Sequence, residues 1–142
     1  MIAELLFGGI THHYIGSTLN YCNVINKGTG TIKHTYLGVL VGSDDFRAGI
    51  IVGKDSACGK IGGLLTSFKF TDKIHGIIGG YNTNYKEFSK RNIAPPQVFG
   101  VTPVVGVDFK FPLVSTKDYK VSLDTLVAIG IITHGVSVKF EF

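Results

Sequence analysis

Large apolar residues at every second position constrain this chain more than any other feature. At one end Val136, Val138, Phe140 and Phe142 alternate with Ser137, Lys139 and Glu141. Successive side chains of a β-strand point to opposite faces, so this strand has one apolar face and one charged face. Such a strand suits a wall between two different solvents. Between Phe46 and Gly53 the alternation takes another form, with Phe46, Ala48, Ile50 and Val52 opposing Arg47, Gly49, Ile51 and Gly53. The period of two recurs along nearly the whole chain. It predicts strands at Leu5–Ile15, Thr35–Gly42, Phe46–Gly53 and Cys58–Phe68, then at Lys73–Tyr81, Val98–Phe109, Tyr119–Gly130 and Gly135–Phe142.

The chain is 44% hydrophobic and only 17% charged, which is apolar for a soluble domain of its size. Yet no stretch reaches the roughly 18 uninterrupted apolar residues of a transmembrane helix. In lipid only helices and closed barrels satisfy every backbone group, so apolar content dispersed in short runs points to a barrel. The 19 Gly residues weigh against helices, since each interior Gly costs roughly 0.5–1 kcal/mol relative to Ala. Connection lengths agree. Ser43-Asp44-Asp45 and Lys69–Asp72 are short turns, whereas Gly16–His34 and Asn82–Gln97 are long, the outer-membrane habit. Pro112–Lys117 is a longer connection on the short-turn side. The expected fold is all-β: a single eight-stranded antiparallel up-and-down β-barrel of the outer-membrane type, one domain over residues 1–142, monomeric. Gly49 and Gly53 on the inward face have two readings. They leave room for an acyl chain, or they relieve backbone strain at a barrel corner.

The formal net charge is +4, with cations scattered singly rather than gathered in a stripe. Nucleic acid is not an expected partner; anionic lipid headgroups match better. His12, His13, His34 and His134 fall near one rim, but adjacent strand residues face opposite ways and no Cys/His spacing fits zinc. No metal or cofactor is expected. His75 reads as a lumen or turn-side residue. Cys22 and Cys58 both fall at the long-loop rim. They either pair in an oxidising compartment, stabilising by about 4 kcal/mol in the chain-entropy model, or remain two thiols.

Alternating strand direction puts the connections after strands 1, 3, 5 and 7 at one rim. Thr11-His12-His13 and Lys54-Asp55-Ser56, far apart in sequence, meet there. Gly9-Ile10-Thr11-His12-His13-Tyr14 resembles the Ile-Thr-Trp-His stretch in the first strand of the lipid A palmitoyltransferase family (PagP). Gly53-Lys54-Asp55-Ser56-Ala57 resembles that family's Lys-Asp-Ser-Trp segment after its third strand. Asn92–Val98 followed by Thr102–Val107 is similar to its proline-punctuated stretch leading into strand 6, and Val138–Phe142 to its aromatic terminal strand.

The resemblance implies transfer of an acyl chain from a phospholipid to lipid A at the outer rim of a membrane barrel. It makes His13 the base, Ser56 the nucleophile or the hydroxyl that positions the ester, and Asp55 the group that orients the histidine. Two other functions fit the composition: a non-enzymatic small barrel (adhesin-like, structural or virion-associated), and a lipocalin-like binder of a hydrophobic ligand. The start, Met1-Ile2-Ala3-Glu4, has no basic segment leading into an apolar one. The expected origin is therefore a mature form with an engineered start, or a protein outside that export route, a virion-associated relative included.

Overall fold

The computed structural model describes residues 1–13, 30–55, 59–82, 101–128 and 131–142. Eight antiparallel strands form a closed barrel: β1 (Ile2–His13), β2 (Gly30–Gly42), β3 (Phe46–Asp55), β4 (Gly59–Lys69), β5 (Ile74–Asn82), β6 (Val101–Ser115), β7 (Tyr119–Ala128) and β8 (Ile131–Glu141). Each strand pairs with its sequence neighbours, and β1 closes the sheet against β8 from Ile2↔Glu141 to His13↔Ile131. Closure leaves no unpaired edge.

The period-2 pattern sets which way each side chain faces. Every strand places a large apolar side chain on the outside: Phe7, Val39, Ile50, Leu64, Ile78, Val105, Leu123 and Phe140 are all exposed. On β8 Ser137 is buried inside, so Val136, Val138 and Phe140 take the outer face, as their alternation predicts. The lumen has two layers. Toward the long-loop rim it is filled by Leu6, Leu40, Ile51, Leu65, Ile77, Tyr81, Val104 and Ala128. Toward the tight turns it is charged, with Glu4, Arg47, His75, Asp108, Lys110 and Asp124 all buried.

Glycine lets strands approach at the tightest curvature. A Cβ on Gly49 would stand 1.7 Å from the Val39 carbonyl oxygen of the neighbouring strand. That favours strain relief over acyl-chain space as the reason for Gly there. Gly8 lies opposite Tyr36, whose ring would be 1.8 Å from an added Cβ. The aromatic ring occupies the space the glycine leaves.

Several strands run further than their sequence pattern: β1 starts at Ile2 rather than Leu5 and β8 at Ile131 rather than Gly135, and β6 and β2 exceed it most. β6 continues through Pro112 to Ser115: Pro112 stays opposite Ser122, and the register shift beside it leaves Leu113 as the extra, bulged residue next to the one that cannot donate to the ladder. The third connection on that side is thereby as tight as the others, its Thr116 hydroxyl accepting from the Asp118 and Tyr119 amides. β2 begins at Gly30, so Thr31–His34 belongs to the wall rather than to the preceding connection.

Candidate functional site

At the long-loop rim the backbone register brings several sequence-selected positions together. His13 ends β1 opposite Gly30, and Asp55 ends β3 opposite His34. Gly30 and His34 are both on β2, separated by about 13 Å of extended chain. The histidine directly across from Asp55 is therefore His34, whereas His13, on β1, stands across from β2 four residues away at Gly30. The structure describes only the backbone of His13, His34 and Asp55. Ser56, Cys22 and Cys58 lie outside the described residues, so neither the proposed hydroxyl nor the disulfide is placed. His34 was legible only as one of several rim histidines; its pairing with Asp55 depends on where β2 begins.

Beneath this rim the apolar layer encloses a cavity of about 40 Å³, lined by Leu6, Tyr36, Ile51, Leu65, Ile77 and Leu126, among others, with Asp108 and Asp124 at its polar side. That is room for about three water-sized molecules, far short of a long acyl chain.

The charged layer closes the lumen below. Arg47 Nη2 donates to Glu4 Oε2 at 2.9 Å, and Arg47 Nη1 donates to the Ser43 and Asp44 carbonyls at 3.1 and 2.9 Å. Lys110 Nζ lies 2.7 Å from Asp124, 3.2 Å from Asp108 and 3.4 Å from Glu4, and donates to Ser137 Oγ at 3.0 Å. Burying these ions is tolerable only because each cation meets a carboxylate at hydrogen-bonding range. Satisfaction is not complete. Arg47 Nε, Ser67 Oγ, His75 Nδ1 and Asp108 Oδ1 are buried without a hydrogen-bond partner. They sit on four consecutive strands, with Arg47 opposite Ser67 and His75 opposite Asp108.

A second ionic group lies outside the wall, at the tight-turn end. Asp44 accepts from Lys69 and, at 2.9 Å, from Lys139. Those bonds, Lys69 first, hold the Asp44 carboxyl well below the usual carboxylate range. Lys69 also lies 2.9 Å from Asp72 and lowers that carboxyl. The turn after β2 is thus tied to β4 and to β8.

Among the described residues no three His, Cys, Asp or Glu side chains group as metal ligands. Compared with protein-family models and with curated proteins, the chain matches none.

Proposed function

We propose that the protein is an outer-membrane barrel that spans the bilayer with its eight strands, is closed to passage through its lumen, and acts at the long-loop rim. One observation carries this reading: the polarity of a soluble protein is inverted. Leu64 is 67% exposed on the wall while Arg47 and Glu4 are each 1% exposed inside it. In water the exposed belt would be an aggregation surface; in lipid it is the expected outer face. A soluble lipocalin-like binder would need the reverse. Refolding into detergent or vesicles tests the reading. The folded barrel should run differently on a gel before and after heating, and should float with vesicles. Recovery of a monodisperse protein without detergent would overturn it.

For the chemistry at the rim we infer acyl transfer from a phospholipid to lipid A. Support comes from the register that sets His34 opposite Asp55 and ends β1 with His13 at the same rim. A neutral histidine takes the proton of the attacking hydroxyl, which adds to the ester carbonyl of the phospholipid. Collapse of that adduct breaks the ester C–O bond, and the proton passes to the departing lysophospholipid oxygen. Ser56 either carries the acyl group in between or positions the ester. The small cavity favours a second reading, a non-enzymatic barrel that displays its long connections. Labelled phospholipid with lipid A separates the two. His13→Ala, His34→Ala and Ser56→Ala should leave the barrel folded, and each direct participant should lower transfer by about 100-fold or more. No transfer by the wild type would leave the display role; near-wild-type rates in all three variants would move the chemistry to other residues.

A further inference from the structure

Among the described residues each buried lumen cation has a carboxylate: Arg47 meets Glu4, and Lys110 meets Glu4, Asp108 and Asp124. At the tight-turn end Lys69 and Lys139 share Asp44. The long-loop rim differs. Lys54 and Lys60 stand directly opposite each other on β3 and β4, both exposed, and neither has a carboxylate partner among the described residues. Like charges directly opposite across an antiparallel pair repel, with Cβ atoms only about 4.5–5.5 Å apart. The nearer neighbour on the other side gives no relief, since Thr35 is opposite Lys54 on β2.

We propose that Lys54 and Lys60 form a clamp for the phosphate of an anionic lipid headgroup, in the leaflet at the long-loop rim. The proposal rests on the membrane-spanning reading and says which lipid chemistry the barrel selects. Both lysines share the outer face with Val52 and Leu64, which are exposed and apolar. Lys54 is two residues beyond Val52, about 7 Å along an extended strand. That step carries the wall from hydrocarbon to headgroup depth. The lysine stems can lie along the apolar belt while the ammonium groups reach the interface. A phosphate between the two ammonium groups turns a repulsive pair into two charge-assisted contacts. A carboxylate opposite either lysine would have removed the need for an outside anion, and among the described residues the register provides none.

The test uses the full chain in phosphatidylcholine vesicles carrying a trace of spin-labelled phosphatidic acid or spin-labelled phosphatidylcholine. The motionally restricted fraction of each label is read by electron paramagnetic resonance. The expected result is a preference of about three- to fivefold for phosphatidic acid. It should fall to near one in Lys54→Gln/Lys60→Gln and persist in Lys117→Gln/Lys120→Gln, which removes two lysines at the other end. Inorganic phosphate added at constant ionic strength should not erase it. Restricted lipid without a preference, or a preference indifferent to Lys54 and Lys60, overturns the clamp and leaves the membrane reading intact. Loss of the preference to inorganic phosphate overturns it in favour of a free-anion site. No restricted lipid of either kind overturns the membrane reading, and the clamp with it.

Discussion

Truncating Glu4 would leave the Arg47 guanidinium buried beside no carboxylate. Arg47 is 1% exposed and would keep only its bonds to the Ser43 and Asp44 carbonyls. Breaking a buried pair from one side typically costs about 3–5 kcal/mol. Lys110 retains Asp108 and Asp124, so Glu4→Ala is expected at the lower end, about 3 kcal/mol, read from urea unfolding in detergent. Ser67→Ala should do the opposite. Its buried hydroxyl has no partner, so deletion should be neutral or stabilising by up to about 1 kcal/mol in the same titration. None of this network was legible in the sequence. Glu4, Arg47 and Lys110 are scattered along the chain, and only strand register makes them neighbours. What was legible was the face: Arg47 alternates with the outward Phe46 and Ala48, and that pattern alone placed it inside. The pattern around His75 likewise points to a lumen or turn-side position, and the residue is buried in the charged layer.

Strands and turns carry their own tests. On β3 the Gly49 Cα faces the backbone of β2, and an added methyl would meet the Val39 carbonyl oxygen rather than a side chain able to move. Gly49→Ala should therefore force β2 and β3 apart and cost about 3 kcal/mol, the upper end for overpacking. The heat-modifiable gel band should weaken at a lower urea concentration than in the wild type. In the turn after β2, Asp44 ties Lys69 and Lys139 together. Its folded-state pKa is depressed, so its contribution is complete above the unfolded value of about 3.9 and is lost as pH falls through the lower folded value. The side chain is 42% exposed, which limits the effect to about 0.2–1 kcal/mol. Asp44→Asn should lower the melting temperature by a constant amount between about pH 7 and pH 5, and the gap should narrow below about pH 4. Elements were legible where alternation was uninterrupted, as in β3 and in β8 from Gly135 onward, though β8 already begins at Ile131. They were not where another rule intervened. Pro112 reads as the end of a strand because it lacks an N–H, but a bulge lets β6 pass through it. Gly30-Thr31 reads as loop because Gly, Asn and Thr crowd the preceding segment, although β2 already pairs with β1 there. That second misreading also hid the opposition of His34 and Asp55.

Across the whole barrel, two unlike layers close the lumen in series. An ion entering from the tight-turn end meets a polar recess of about 290 Å³ bordered by Glu4, Lys110, Ser122 and Lys139. It then meets the ion-pair layer, and beyond that the apolar layer, which begins at the fully buried Leu40 opposite Glu4. The first layer is polar and can exchange partners, since Lys110 already touches three carboxylates. The second offers an ion nothing to replace its hydration, and the effective desolvation penalty inside proteins is still several kcal/mol. At 1.36 kcal/mol per factor of ten, about 4 kcal/mol slows passage by roughly a thousandfold. The apolar layer should therefore hold the seal alone. In planar bilayers the wild type should be silent, and so should Glu4→Ala, even though its ion-pair layer is broken. Leu40→Gly, which thins the apolar layer directly across from Glu4, should conduct on its own, and more when combined with Glu4→Ala. Steady conductance in Glu4→Ala alone would mean that the ion pairs, not the packed side chains above them, form the barrier.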